Sequence, residues 1–405
     1  YSPLLSLNEV GADPAAELRD AVGYLHDANI VRSTRWPQTM LTTSTHDTKR
    51  SADVRARLDV LSEIPKEWAA QLTRWERAHR GFKKMVRDKL APDAQMEYVI
   101  YQTLVGMWPT SGVKDADRDS LRERVSAYAQ KAAREAKART SWTDPNEEYE
   151  RAVEDFIRAL FDRAEFLREL EAFVATVAPS GAWNALSRTL LHLTSPGIPD
   201  IYQGDELWNF SLVDPDNRRP VDYGKRRSLS AAIDPMSPSG DKLSVGSQLN
   251  THLDFTSFDH DALKLDVIRR ILHARAAHAP LFTSGSYLPL AAHGALGAHI
   301  FAFARRTPAD AAIIVAPRLT HSLARDSRPG APPTGDVWRD TELHLPAELA
   351  GTRWRCAISG RTHTLPASTT SGADPATTAN VRVPVEQLLA DSPIALLFPI
   401  PDSTP

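Results

Sequence analysis

The ten residues from Thr43 to Ala52 constrain this chain more than any other stretch. They follow a short apolar run, Met40-Leu41, that reads as a buried strand after Pro37. Thr43-Ser44-Thr45-His46-Asp47-Thr48-Lys49-Arg50-Ser51-Ala52 then places an imidazole, a carboxylate, an ammonium and a guanidinium within five positions. A strand that stops in mixed charge fits the mouth of a parallel barrel, where loops after the strands carry the chemistry. Residue types alone fit a solvated loop equally well. A second strand end favours the barrel. Ile198-Pro199-Asp200-Ile201-Tyr202-Gln203-Gly204-Asp205-Glu206 has the same polar character and follows a helix expected from Trp183 to Leu193. Helix, short apolar strand and polar loop make one βα unit.

The remaining periodicity divides the chain. A helix is expected from Asp13 to Trp36, with Asp13-Pro14 at its start and Pro37 ending it. From about Ser51 to Ser195 the pattern is strongly helical. Asp144-Pro145-Asn146-Glu147 has capping-box spacing, and Val153, Phe156, Ile157, Leu160, Phe161, Ala164 and Leu167 form one apolar stripe after it. So many helices between two strand ends read as an insertion in one barrel loop. Leu207 to Phe258 is a long loop rich in Pro, Ser and Asp, of a length that commonly marks function or disorder. Leu263 to Ala279 is a helix with Val267, Ile271 and Leu272 on one face.

From Leu281 onward the pattern is β. The runs 298–303, 311–315, 342–345, 354–358, 381–385 and 394–398 are short, apolar and separated by turns, which predicts an antiparallel sandwich. Asp326 to Asp336 reads as a loop. The expected architecture is therefore α/β plus β, the C-terminal part of a (β/α)8 barrel with a helical insertion and a β-sandwich. Its segments are 1–50, 51–180, 181–280 and 281–405. The β segment is expected to cover the barrel's last helices, and Trp108 and Trp183 to lie in the core.

Composition narrows the function. With 48 basic and 51 acidic residues the net charge is -3, which points to no nucleic acid and no membrane surface as partner. One cysteine, Cys356, excludes a disulfide-stapled scaffold. No apolar stretch is long enough to span a bilayer, and Tyr1-Ser2-Pro3-Leu4-Leu5 has no basic leader, so the expected compartment is the cytoplasm. Scattered histidines without HExxH or paired Cys/His spacing argue against a metal, and P-loop, Rossmann and GxSxG fingerprints are missing, so no cofactor is expected. What remains is carboxylate chemistry or the grip of a polyhydroxylated ligand. Charged side chains can bond vicinal hydroxyls in a fork, and aromatic faces can cover a sugar ring.

In these motifs the chain resembles the α-amylase clan of glycoside hydrolases and, within it, the maltooligosyl trehalose synthases. His46-Asp47 sits where the clan has its fourth signature region, after the seventh barrel strand. Gly197 to Glu206 resembles the eighth-strand motif, and Asp214-Pro215-Asp216-Asn217-Arg218-Arg219-Pro220 the loop after it. The narrower resemblance rests on Ser6-Leu7-Asn8-Glu9-Val10-Gly11, on Thr45 to Arg50 running into Asp53-Val54-Arg55-Ala56-Arg57, and on Ala136-Lys137-Ala138-Arg139-Thr140-Ser141-Trp142. Ala52 departs from the family, which usually has an acidic residue there.

The resemblance implies an intramolecular transglucosylation that turns the reducing-end α-1,4 link of a maltooligosaccharide into α,α-1,1. Asp47 matches the clan's third carboxylate, which holds the hydroxyls of the reacting ring, and His46 donates to the same ring. Lys49, Arg50, Lys137, Thr140, Trp142, Glu206, Asp214, Asn217, Arg218 and Arg219 are candidate substrate contacts. For Lys137, Thr140 and Trp142 a packed helix-end loop fits as well, and for the arginines a structural ion network. The nucleophilic Asp and the acid Glu of the family follow its fourth and fifth strands, upstream of Tyr1, so the expected partners are a maltooligosaccharide and an N-terminal barrel segment. Glu9 and Glu206 are not expected to replace that pair, and the chain alone is expected to be inactive. Two other readings stay open, a glucan hydrolase of the same clan and a non-catalytic glucan-binding or structural subunit.

Overall fold

A computed structural model describes residues 20–233, 253–258, 260–324, 330–367 and 380–400. The Asp13-Pro14 helix start, the Ser6–Gly11 motif with Glu9, and parts of the 207–258 and 326–336 loops lie outside them. The chain forms two compact units. Of the described residues, one unit comprises those in 44–181 and 209–220, and the other those in 20–43, 182–208 and 221–400.

The first unit is mainly helical. Its helices are α2 (Ala52–Asp59), α3 (Pro65–His79), α4 (Ala94–Met107), α5 (Asp115–Ala136), α6 (Glu147–Phe161) and residues up to 181 of α7 (Ala164–Thr194). Side-chain caps start three of them. Ser51 accepts from the Val54 N–H, Asp93 from the Met96 N–H and Asn146 from the Tyr149 N–H, each filling an otherwise orphaned donor. The cap of α6 is thus Asn146, and its acidic first turn (Glu147, Glu148, Glu150) complements the helix dipole.

The apolar stripe after Asn146 is buried through Val153, Phe156, Ile157, Leu160 and Phe161. It does not run on in one helix, because α6 ends before Asp162 and Leu167 belongs to α7. The helical pattern is also interrupted by a hairpin, β2 (Lys84–Val86) and β3 (Lys89–Ala91). Arg87 and Asp88 close it with φ of 48° and 62°, the two-residue turn whose twist matches paired strands.

The second unit holds α1 (Ala21–Arg35), β1 (Met40–Thr42), the end of α7, β4 (Ile198–Asp200), α8 (Tyr223–Ile233) and α9 (Asp261–Ala277). Its β elements are β5 (Ser286–Leu290), β6 (Ala292–His293), β7 (Ile300–Arg306), β8 (Ala311–Pro317), β9 (Glu342–Pro346), β10 (Arg353–Cys356), β11 (Thr362–Thr364), β12 (Asn380–Pro384) and β13 (Ala395–Pro399). β1 and β4 pair in parallel, Met40 opposite Ile198 and Thr42 opposite Asp200. All pairs among the later strands are antiparallel, in a six-stranded sheet ordered β11-β10-β13-β8-β7-β5 and a three-stranded sheet ordered β12-β9-β6.

Each expected β run contains or overlaps a strand, while β5, β6 and β11 went unread. The central strands β7 and β8 are buried almost end to end, so they read as continuous apolar runs rather than alternation. Both sheets share one hydrophobic cluster with Leu186, Leu190 and Leu193 of α7 and Val267 and Ile271 of α9. Leu272, expected on the same face, is 37% exposed. Trp108 and Trp183 are buried in the cores of their units. Among the described residues no helix is long and apolar enough to cross a membrane.

Helix packing in the first unit depends on one close approach. A Cβ added at Gly181 would lie 2.7 Å from the Arg57 Cα, a backbone atom that cannot swing aside. Gly181→Ala should therefore destabilise this unit by about 1–3 kcal/mol in urea unfolding. Gly81→Ala, where a Cβ meets nothing within 4 Å, should stay within about 0.5 kcal/mol of wild type. Equal midpoints for the two variants would refute the packing account.

Candidate active site

The loop from Ser44 to Ser51 is knotted by its own hydroxyls. The Thr48 hydroxyl donates to the Thr45 carbonyl (2.8 Å) and accepts from the Thr45 N–H, while the Thr45 hydroxyl accepts from the Asp47 N–H (3.2 Å). The Ser44 hydroxyl accepts from the Ala52 N–H (3.1 Å), fastening the loop to the start of α2. So tight a turn leaves His46 exposed and the Asp47 side chain 49% exposed. The Lys49 ammonium stands 3.3 Å from Asp47 Oδ1.

Residues 209–220 clasp this loop. The Ser51 N–H donates to the Ser211 carbonyl (2.9 Å), and Arg50 forms a β-bridge with Leu212. The His46 carbonyl accepts from Asn217 Nδ2 (2.9 Å) and from the Asp214 N–H (3.3 Å). Asn217 therefore works on the backbone of the loop. Asp214 and Arg218 stand beside each other, Nε 3.7 Å from Oδ2. Arg219 is tied back to Asp216, at 3.1 Å from its carboxylate and 3.0 Å from its carbonyl.

α5 braces the assembly from one face. Arg124, Tyr128, Lys131 and Glu135 follow the four-three-four spacing that stacks side chains along a helix. Arg124 grips both Asp216 oxygens (2.8 and 2.9 Å) and the Phe210 carbonyl (2.9 Å). Lys131 donates to Asp214 Oδ1 (2.6 Å) and to the Asp214 carbonyl (3.0 Å). That ammonium, with the charges of Arg218 and His46 behind it, holds the Asp214 carboxyl below the usual carboxylate range. Glu135 stands 3.8 Å from Lys49 and 4.0 Å from Lys131. None of Arg124, Lys131 and Glu135 was among the expected site residues. Their spacing was visible but matches any solvated helix face.

Two of the expected contacts, Arg50 and Thr140, are turned into the protein. Arg50 is buried, with Nη2 donating to Thr103 Oγ1 (3.2 Å) and its guanidinium 5.9 Å from the Tyr128 ring centre. Thr140 is buried too, donating to Glu150 (2.6 Å) and accepting from the Asn146 N–H (2.9 Å). Both are corrected from sugar contacts to internal struts, because their polar atoms face protein. Lys137 is exposed at the end of α5 in a left-handed conformation, φ 53°. Trp142 is exposed, with the Arg134 guanidinium 4.8 Å from its ring centre. Glu206 lies in the second unit, bonded to Arg226 Nε (2.9 Å).

A Mycobacterium tuberculosis protein named as a maltooligosyl trehalose synthase is 36% identical to this chain over 394 residues, which are 97% of this chain and 42% of that protein. The solved maltooligosyltrehalose synthase of Arthrobacter ramosus is 32% identical and superposes with a TM-score of 0.73, over 98% of this chain and 43% of that one. The chain is related to the maltooligosyl trehalose synthases. A glycosyltrehalose synthase of strain DSM5389 agrees in fold at a TM-score of 0.67 and 27% identity, over 97% of this chain and 42% of its own. The chain thus spans about two-fifths of the length of these synthases. No protein-family model matches it.

The Arg134–Glu150 pair between α5 and α6 gives a pH test. Arg134 donates to both Glu150 oxygens (2.8 and 2.6 Å), and with Thr140 and Gln130 it holds that carboxyl down at about 2 against the opposite pull of burial. A carboxylate depressed on folding stabilises the protein above its unfolded pKa, about 4.3 for Glu. That stabilisation drains away as pH falls through the folded value. Wild type should therefore exceed Arg134→Met in urea stability most above pH ~4.5, with the gap closing toward pH 2. A gap independent of pH would dissociate Glu150 from the effect.

Proposed function

We propose that this chain forms part of an enzyme that moves the reducing-end α-1,4 link of a maltooligosaccharide to α,α-1,1 by intramolecular transglucosylation. The observation that carries this reading is the half-exposed Asp47 on a braced loop, with Oδ1 held by Lys49 and an exposed His46 beside it. The kinship with the maltooligosyl trehalose synthases supplies the chemistry.

In this reading β1 and β4 are the seventh and eighth strands of a (β/α)8 barrel. Residues 51–180 are an insertion between them, 181–280 end the barrel, and the two antiparallel sheets of 281–405 are a C-terminal sandwich. The chain is then the C-terminal portion of the enzyme. The other barrel strands, the nucleophilic Asp and the acid Glu come from a preceding segment on the same or a separate chain. A single cysteine, Cys356, buried and free, suits a reducing compartment such as the cytoplasm.

Each group has a role. The nucleophile attacks the anomeric carbon as the acid protonates the departing glycosidic oxygen, the two carboxyls about 5–5.5 Å apart in retaining chemistry. The released glucose turns over, and its anomeric hydroxyl displaces the nucleophile carboxylate from the glycosyl carbon while the acid, deprotonated in the first step, takes the hydroxyl's proton. Asp47 and His46 hold the hydroxyls of the reacting ring, and those bonds strengthen as it flattens toward the oxocarbenium-like state. Lys49 sets the Asp47 carboxylate. Lys137, Trp142, Asp214, Arg218 and Arg219 are the side chains offered to the glucose that turns, and Glu206 steadies the strand end.

The test is product analysis on maltopentaose. The chain combined with its barrel segment should yield a non-reducing, trehalose-ended sugar, and Asp47→Asn should cut that rate at least about 100-fold with the fold intact by circular dichroism. Glucose or maltose release alone would favour a hydrolase. This chain by itself should form no product, and any trehalose-ended product from it would mean that the catalytic pair lies within these residues.

A further inference from the structure

We infer that Glu135 and Lys131 on α5 are positioning residues of this site, setting the Asp47 carboxylate through Lys49 and anchoring residues 209–220 through Asp214. The inference rests on the reading that Asp47 grips the reacting ring, and it assigns part of the catalytic geometry to the helical insertion.

The groups form a file of alternating charge. Asp47 meets Lys49 at 3.3 Å, Lys49 meets Glu135 at 3.8 Å, Glu135 meets Lys131 at 4.0 Å, Lys131 meets Asp214 at 2.6 Å, and Asp214 meets Arg218 at 3.7 Å. Each Glu135 oxygen faces a different lysine, Oε2 toward Lys49 and Oε1 toward Lys131. Glu135 is thus the one carboxylate in the file that belongs to neither loop. It sits in the last turn of α5, a helix that packs on α6, facing two ammonium groups on long, flexible stems.

Stability is a poor explanation for the arrangement. The four central side chains are between 19% and 31% exposed, and pairs with such access to water contribute little to folding. Geometry is a better one. An ammonium drawn toward two carboxylates is held in place, and Lys49 meets Asp47 through both Oδ1 (3.3 Å) and the backbone carbonyl (3.4 Å). Without the Glu135 charge, Lys49 loses one of the carboxylates that place it, and Lys131 loses the counter-charge that sits between it and Lys49. Misplacing a catalytic group by about 1 Å can cost about 100-fold in rate.

The experiment compares Glu135→Gln, Glu135→Asp and wild type, in the chain combined with its barrel segment, on maltopentaose. Glu135→Gln should lower kcat by about 10- to 100-fold with KM and Tm close to wild type, and Glu135→Asp should recover part of the loss. A wild-type kcat in Glu135→Gln would overturn the inference while leaving the transglucosylation intact, as would a loss matched by a fall in Tm. A wild-type enzyme that makes no trehalose-ended sugar would instead overturn the reading beneath it. A crystal structure of the Glu135→Gln chain gives a readout independent of turnover. The 3.3 Å Lys49–Asp47 contact should be broken or shifted to Oδ2, and an unchanged contact counts against the role.

Discussion

One helix face organises the candidate site, and its logic is that of charge spread thinly over many partners. Arg124, Lys131 and Glu135 on α5 meet Asp216, Asp214 and Lys49, so each charge on the helix stands beside one of opposite sign from a loop. The two lysine-side contacts are individually weak because they retain access to water, while Arg124 grips both Asp216 oxygens. Together they convert two loops, which could otherwise move independently, into one surface with a defined spacing of charges. The loops contribute backbone hydrogen bonds as well, and these are what make the arrangement specific. The His46 carbonyl takes two donors from residues 214 and 217, so the direction of the peptide before Asp47 is set by the partner loop.

Arg50 shows how differently a charge behaves once water is removed. It stands directly after Lys49 in sequence, yet it is buried, and among the described residues it has no carboxylate partner. Its Nη2 donates to the Thr103 hydroxyl, and its guanidinium lies 5.9 Å from the Tyr128 ring centre. A guanidinium tolerates this better than an ammonium does, because its charge is delocalised and more weakly hydrated. The Arg50 carbonyl accepts from Arg55 Nε (3.2 Å), a further tie between the loop and α2. Two basic residues in a row thus divide the work, Lys49 toward the carboxylates and Arg50 into the floor.

The strand and the polar loop after it were legible in the sequence because residue type carries them: a short apolar run, then imidazole, carboxylate, ammonium and guanidinium. The later strands were legible for the same kind of reason. Ile313-Ile314-Val315 and Leu396-Leu397-Phe398 are apolar without interruption, as central strands are. The hairpin at residues 84–91 was not, because Arg87-Asp88 lacks the Asn-Gly or Gly signal that usually announces such a turn. Nor could sequence separate Lys49 from Arg50, or Thr140 from Trp142, since burial is decided by tertiary packing. Lys131 and Glu135 stayed hidden because their partners are distant in the chain; Lys131 and Asp214 are 83 positions apart. A helix face of alternating charge looks the same whether it faces water or another loop.

The parallel pair in the second unit answers a different constraint. Three residues per strand are too few for two strands to hold together by their own ladder in water. Helices supply what the ladder lacks. Arg275 of α9 donates to the carbonyls of Leu193 and Gly197, each at 2.9 Å, which pins the junction between α7 and β4. His192 of α7 donates from Nε2 to the Leu41 carbonyl in β1 (2.9 Å), and burial pulls the pKa of that imidazole down. Gly197 completes the junction at a φ of 126°, where any Cβ would strike Leu41 and the Thr39 carbonyl. A strand pair held from the helix side, with Met40 and Ile198 exposed on it, keeps its direction and register without neighbouring strands.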